Sequence, residues 1–226
     1  MISVNIQSSI LISGNVKIYF DPIKMDKKYD ADYIFITHSH YDHFSKEDIL
    51  NIKNDRTVII CPYDVYDNCL EMGFKESNVF KVKPYEEYNF GVIKFKTVPA
   101  YNVSKPFHPK ENNWVGYVIE FEGQTYYIAG DTDGLDENLS INVDMAFIPI
   151  GGTYTMDALE ASEFVNKLKP KVVVPIHYGM VVGNEKDLNK FIEKNRGRSR
   201  LLRPGPHRPR GPHPPGDLPG PGGPGV

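Results

Sequence analysis

Three histidines and an aspartate lie within six consecutive positions of the chain, in the run FITHSHYDHFS at residues 35–45. Five histidines precede residue 196, so this run holds most of the imidazole in the body of the protein. Imidazole nitrogen and carboxylate oxygen are the ligands that Zn²⁺ and similar divalent metals prefer. A solvated loop with histidines gathered by chance explains so dense a cluster poorly. The run therefore predicts a metal site.

The spacing within the run predicts two binding points rather than one. His38 and His40 are two positions apart beyond an apolar run, so both side chains can turn toward one point as the chain leaves a sheet. Asp42 and His43 follow two and three positions later and can reach a second point once the loop curls.

The elements around the run indicate how it is held in place. YIFIT, at 33–37, is typical of a strand buried on both faces, and it ends where the histidines begin. SKEDILNI, at 45–52, predicts a helix with Ser45 as its N-cap. Further strands are expected at 4–12, 15–20, 57–61, 79–82, 90–100, 114–121, 124–130, 144–150 and 171–177, the last of these being the final strand. Further helices are expected at 65–73, at 155–168 with Thr155 as N-cap, and from about Glu185.

The strands thus come in two batches, each followed by helices, and polar residues cluster where strands end. Glu122 and Gly123 lie at the centre of a predicted hairpin. This order predicts an α+β protein with two sheets sandwiched between helices, and a site along one edge of the sandwich.

HSHYDH matches the H-x-H-x-D-H signature of the metallo-β-lactamase superfamily of metal-dependent hydrolases. The resemblance covers roughly residues 1–185 and includes KIYFDP with Asp21, IAGDT with Asp131, and PIHYG with His177. The run IPIGGTYTMDALEA, at 148–161, most resembles the branch of L-ascorbate 6-phosphate lactonase-like proteins. The resemblance implies a four-layer αββα metallo-β-lactamase sandwich.

The resemblance also implies a ligand set. His38 and His40 would hold a first metal ion, and Asp131 would bridge it to a second. The ligands of that second ion would be Asp42, His43 and His177. Asp21 is either an orienter of these ligands or a simple turn cap before Pro22.

One ligand of the first metal remains open. The family places a histidine after a strand in an A-[FY]-H pattern, whereas this chain reads Ala100-Tyr101-Asn102. Asn102 offers a neutral amide oxygen, a weaker ligand for a borderline metal. His108, six residues further on, can be bent back by its loop and is the favoured ligand; the alternative is an exposed loop histidine.

Such a site predicts two divalent metal ions, Zn²⁺ first and iron or manganese as alternatives. Two ions about 3.5–4 Å apart can share a bridging hydroxide and aim it at an electrophile. Asp42 and Asp131 are the candidate catalytic residues, and the expected substrate is a small-molecule lactone, ester or phosphoester. The alternatives are a non-hydrolytic di-iron or metal-binding protein of the same fold, and a phosphodiesterase or nuclease.

Charge and composition narrow the range of partners. Up to Asn195 the chain has 19 lysines and one arginine against 28 acidic residues, a balance of −8, which argues against long nucleic acid as a partner. The sequence has neither a membrane-spanning run nor a signal-peptide pattern, and Cys61 and Cys69 have no framework spacing. A cytoplasmic protein with reduced cysteines is expected, with no membrane partner, and a homo-oligomer stays possible.

The composition changes sharply after residue 195. Residues 196–226 contain six arginines and no lysine, with nine of the 18 prolines and eight of the 19 glycines. We therefore expect a hydrolase domain over 1–195 and a disordered tail over 196–226. The residue types common in the body, such as Lys, Asn, Ile and Tyr, have AT-rich codons, whereas Arg, Pro and Gly have GC-rich codons. A frameshift, vector read-through or fusion scar explains so abrupt a change best; a natural basic arm for an acidic partner is the alternative.

Overall fold

The computed structural model describes residues 1–197 and 199–203 of the chain. Within them, one mixed sheet (sheet 1) has six strands in chain order: β1 (Ile2–Val4), β2 (Ile10–Ser13), β3 (Lys17–Phe20), β4 (Tyr33–Phe35), β5 (Val58–Pro62) and β6 (Val79–Val82). The strands β1, β2 and β3 pair antiparallel, and β3 to β6 pair parallel.

A second mixed sheet (sheet 2) has seven strands in the described part of the chain: β7 (Glu87–Asn89), β8 (Lys94–Pro99), β9 (Val115–Phe121), β10 (Gln124–Ile128), β11 (Met145–Pro149), β12 (Val172–Ile176) and β13 (Arg200–Leu201). Each strand pairs with its neighbour in chain order. The pairs from β7 to β10 are antiparallel, and those from β10 to β13 are parallel.

Helices cover the outer faces of both sheets. Two of them, α1 (Lys46–Ile52) and α2 (Tyr66–Glu71), contribute Ile49, Ile52 and Cys69 to the apolar cluster on sheet 1. The other two, α3 (Ala158–Leu168) and α4 (Glu185–Lys194), pack Phe164 and Phe191 into the cluster on sheet 2. A third cluster, containing Phe35 and Tyr117, fills the space between the sheets. The four-layer αββα sandwich is confirmed.

Most of the predicted helix and strand boundaries are confirmed to within a few residues, and local contacts explain them. The Ser45 side chain accepts a hydrogen bond from Asp48 N at the start of α1, as an N-cap does. Glu122 and Gly123 connect β9 and β10 with positive φ values of 47° and 73°, which suits a tight hairpin turn. Cys61 and Cys69 are free thiols, as expected.

Two local predictions are wrong. The alternating run at 4–12 is not one strand, because the chain turns back at Gln7 and forms the separate strands β1 and β2. Thr155 does not cap α3; Asp157 does, and it forms a capping box with Glu160 that satisfies the first free amides of the helix.

The predicted end of the domain at residue 195, with 171–177 as its final strand, also needs correction. Arg200 and Leu201 form β13 and pair with Val172 and Val173, so the sheet gains a further strand from the arginine-rich segment. Residues 204–226, and the prediction made for them, lie outside the described residues. None of the described helices is long and apolar enough to cross a bilayer.

Candidate metal centre

The predicted site residues follow the carboxyl ends of parallel strands. Asp21 follows β3 and His38 follows β4 in sheet 1, whereas Asp131 follows β10 and His177 follows β12 in sheet 2. Carboxyl ends of parallel strands lie at one edge of their sheet, which is the usual place for ligands in such sheets. The two sheets therefore present these residues to a common edge of the sandwich.

Contacts beside the histidine run connect the two sheets. Tyr117 of β9 donates its hydroxyl hydrogen to the carbonyl oxygen of Ile36 at 2.6 Å, and Val115 N donates to Thr37 O at 3.2 Å. Tyr117 is fully buried, and its ring meets Phe35 edge to face with the centroids 5.0 Å apart. The backbone that leads into His38 is therefore held from the opposite sheet.

The loop after β4 folds back on itself. Backbone amides of His43 and Phe44 both donate to His40 O, at 2.9 and 2.8 Å, before α1 begins at its Ser45 cap. This turn places Asp42 and His43 in the buried interior, while Tyr41 points outward with 72% exposure. His40 is half-buried and is the most exposed of the seven predicted ligands.

The structure brings together all seven predicted ligand residues. They fall into three groups whose ligand atoms lie within 4.8 Å of one another: His38, His40 and His108; His38, His43 and Asp131; Asp42, His43 and His177. The third group is the second ligand set that the resemblance implied, and the first group joins His38 and His40 to His108, the favoured candidate for the open position. The second group shares His38 with the first and His43 with the third, and it adds Asp131.

Asp131 occupies the centre of the cluster. Its Oδ2 lies 2.9 Å from Nε2 of His177, 3.3 Å from that of His108 and 3.8 Å from that of His38. Its Oδ1 lies 3.2 Å from Nε2 of His43. One carboxylate thus faces imidazoles from both outer groups, the arrangement that a bridging ligand requires.

Several polar atoms of the cluster are buried without a hydrogen-bond partner, as expected of metal ligands in a metal-free protein. Six of them are buried and have no hydrogen-bond partner among the described residues: Nε2 of His38, His43, His108 and His177, Nδ1 of His177, and Oδ1 of Asp131. An unpaired buried polar group costs about 1–3 kcal/mol, so this concentration of them calls for another partner. Divalent ions bound by imidazole and carboxylate would satisfy the four Nε2 atoms and the carboxylate oxygen.

The charges of the cluster shift its titration. Burial lowers the pKa of His43, but the negative charges of Asp131 and Asp21 outweigh burial and raise that pKa well above its usual value. Burial raises the pKa of Asp131, but the imidazoles of His177 and His43 hold it well below its usual value. Burial also holds the pKa of His38 well below its usual value, which keeps that ring neutral, as a metal ligand must be.

Asp21 and Thr37 orient two of the histidines. Asp21 Oδ2 lies 2.7 Å from Nδ1 of His43 and accepts the Thr37 hydroxyl hydrogen at 2.6 Å. Because that hydroxyl donates to Asp21, its oxygen can accept from Nδ1 of His38, 3.0 Å away. Both rings then carry their proton on Nδ1 and leave Nε2 free. Asp21 is thus an orienter rather than a simple turn cap.

Asn102 orients His108. Its amide nitrogen donates to Asp133 Oδ1 at 3.1 Å and to Tyr154 O at 2.9 Å, which fixes which way the amide points. Its Oδ1 then accepts from the backbone amide of His108 at 3.0 Å and lies 3.0 Å from Nδ1 of the ring. The Nε2 atom on the opposite side of the ring faces Asp131.

Sequence reasoning missed one buried neighbour of the cluster, Gln7. Its side-chain amide donates to Asp42 Oδ2 at 3.0 Å, and its backbone oxygen accepts from His177 N at 2.9 Å. No pattern marks a single glutamine among the other polar residues of this run, so only the turn after β1 identifies it.

Comparisons with known proteins agree with this geometry. The Beta-lactamase superfamily domain matches residues 3–177. The UPF0173 metal-dependent hydrolase of Staphylococcus aureus strain MRSA252 is 34% identical, and the match covers 88% of this chain and 95% of the relative.

Solved structures share the fold. A crystal structure of a protein from Parabacteroides distasonis is 25% identical, with a TM-score of 0.77, and the match covers 90% of this chain and 91% of that one. CmlA, a diiron beta-hydroxylase of Streptomyces venezuelae, is 15% identical with a TM-score of 0.69 over 89% of this chain and 52% of its own. The likeness to CmlA shows a common fold alone.

This chain belongs to the beta-lactamase superfamily and is a metal-dependent hydrolase.

Proposed function

We propose that this hydrolase uses two divalent metal ions held by the seven clustered side chains. His38, His40 and His108 hold the first ion, and Asp42, His43 and His177 hold the second. Asp131 bridges them. The observation that carries this proposal is that the three ligand groups are linked by His38 and His43 around Asp131, together with the unpaired buried Nε2 atoms that face Asp131.

The donor set favours Zn²⁺. It consists of imidazole nitrogens and carboxylate oxygens without thiolate, a combination that suits zinc and also iron or manganese. Both described cysteines lie in the apolar cluster on the far side of sheet 1 and take no part.

When bound, a pair of such ions supplies an activated water at neutral pH and polarises a carbonyl or phosphoryl oxygen. The residues of the chain supply negative charge and hold the ligand rings in position. Asp131 and Asp42, the candidate catalytic residues, provide fixed negative charge within the cluster. Asp21, Thr37 and Asn102 hold the rings of His43, His38 and His108 in place, with each Nε2 directed inward.

The proposed substrate is a small molecule with a lactone, ester or phosphoester group. All three develop an oxyanion that the same site can stabilise. A lactone has additional support from the run at 148–161, which resembles the L-ascorbate 6-phosphate lactonase-like branch. The entrance lies beside the half-buried His40 and the exposed Tyr41, and Phe107, next to His108, is 41% exposed, so there is apolar surface for the rest of a substrate. A cytoplasmic location and a possible homo-oligomer stay predictions.

A panel of lactones, phosphodiesters and thioesters, assayed on zinc-loaded protein, tests this proposal. The Asp131→Ala variant should lose at least about 100-fold of kcat/KM on the best substrate, since it removes a ligand shared by both ions. Asp136→Ala, an exposed aspartate five positions on, is the matched control and should be unchanged. Wild-type activity in Asp131→Ala, or two bound iron atoms per chain without any hydrolysis, would overturn the proposal.

A further inference from the structure

Gln7 is an unusual residue for its position. Its side chain is 2% exposed, although glutamine is mostly found at protein surfaces. Its φ is +55°, in the left-handed region that residues other than glycine seldom adopt. Such conformations are strained and persist where the surrounding contacts require them.

Those contacts lead to two predicted ligands of one metal ion. The Gln7 side-chain amide donates to Asp42 Oδ2, and the Gln7 carbonyl accepts from the backbone amide of His177. Asp42 comes from the loop after β4 in sheet 1, and His177 follows β12 in sheet 2. A single residue in the turn between β1 and β2 therefore ties together ligands from both sheets.

Each ligand needs this support. Without a partner, the Asp42 carboxylate can rotate about its terminal bond. Its Oδ2 lies 3.5 Å from Nε2 of His43 and 3.4 Å from Nε2 of His177, so a rotation would take it away from both rings. His177 itself has a φ of +56°, and the hydrogen bond from its backbone amide to the carbonyl oxygen of Gln7 holds the backbone in that conformation.

The chemical type of the donor also matters. The amide of Gln7 is neutral, so it fixes the carboxylate without cancelling the negative charge that attracts a metal ion. A lysine or arginine in its place would form an ion pair with Asp42 and compete with the metal.

We infer that Gln7 is a positioning residue that sets the affinity of the ion held by Asp42, His43 and His177. This inference rests on the proposed function, because it requires that these three residues hold an ion. Side chains that orient metal ligands typically change metal affinity about 10–100-fold when they are removed.

Zinc titration of metal-free protein tests the inference, with metal content measured by elemental analysis. Gln7→Met keeps the length of the side chain and its backbone hydrogen bond but removes the donor. We expect one of the two equivalents of zinc to bind about 10–100-fold more weakly, while the other binds as in the wild type. Gln124→Met, at an exposed position in β10, is the matched control and should bind both equivalents normally.

A second variant keeps the inference testable if Gln7→Met does not fold. Asn tolerates the left-handed conformation well, so Gln7→Asn should fold, but its shorter amide does not reach Asp42. It should show the same selective loss at one equivalent of the two. Wild-type affinity for both equivalents in the folded Gln7 variants would overturn the inference. If the wild type itself binds fewer than two zinc ions, the proposed dinuclear site is what fails.

Discussion

Nδ1 of His43 lies 2.7 Å from Oδ2 of Asp21, and both side chains are almost completely buried. Asp21 follows β3 and its partner comes from the loop after β4, the neighbouring parallel strand. The contact fixes which nitrogen of His43 faces Asp131, so an aspartate outside the ligand set controls how a ligand is presented.

Replacement of Asp21 by asparagine should weaken metal binding about 10–100-fold, with a similar loss of hydrolytic activity. An amide keeps the shape but loses the charge that holds the Nδ1 proton of His43. Zinc titration and kcat/KM on the best substrate measure the effect. Asp55→Asn, at an exposed turn before β5, should leave both unchanged. Equal zinc affinity in Asp21→Asn and the wild type would show that Asp21 merely caps its turn.

His108→Ala should remove one of the two zinc ions, because it deletes a ligand of the first group. Asn102→Ala should retain both ions but bind the first one about 10-fold more weakly, since Nδ1 of His108 loses one of its two partners and keeps only Tyr154 O. Elemental analysis after dialysis separates the two results. Asn112→Ala, in an exposed turn of the same loop, serves as the control. Full loss of an ion in Asn102→Ala, with two ions kept in His108→Ala, would reverse the two roles.

Removal of metal should destabilise the protein. The unpaired Nε2 atoms of the cluster lose their partner, and a ligand present at 100 times its Kd stabilises a fold by about 2.7 kcal/mol. For a chain of this size that corresponds to a fall in Tm of about 5–10 °C on chelation. Thermal unfolding with and without a chelator measures it, and re-addition of zinc should restore the Tm. An unchanged Tm, with metal content confirmed before and after chelation, would contradict a metal role for the cluster.

Metal uptake should release protons at neutral pH. Burial lowers the pKa values of His43 and His177, but the neighbouring carboxylates together outweigh burial and raise both values in the metal-free protein, so these rings hold protons that the metal must displace. Calorimetric titration in buffers of different ionisation enthalpy counts these protons. The same binding enthalpy in every buffer would show that no proton is displaced.

The raised pKa of His43 also sets opposite pH trends for the two forms. In the metal-free protein its contribution to stability is complete below the unfolded-state pKa of about 6.5, and it disappears as the pH rises through the raised folded value. In the metal-loaded protein, protons compete with zinc, so stability falls as the pH falls. The Tm of both forms, measured as the pH is raised from below 6.5, checks these opposite trends. The same pH dependence of Tm in both forms would contradict the prediction.

The histidine run, by itself, determined that the protein has a metal site. Residue type and local spacing decide which donors are available and which strand leads into them, and these are properties of a few adjacent residues. The strand at 33–37 and the Ser45 cap follow from the same local patterns and are confirmed up to small differences in their ends. The resemblance added Asp131 and His177, which the structure places beside the run.

The tertiary structure decided how the distant residues meet. The sequence left His108 and Asn102 as alternatives, because nothing local says how far a six-residue loop bends. In the structure both have a role: His108 faces Asp131, and Asn102 holds the ring of His108. Gln7 carried no signal at all, since its partners Asp42 and His177 are far from it along the chain. Such contacts depend on how the two sheets stack and where each strand ends, and the periodicity of a sequence does not encode these relations.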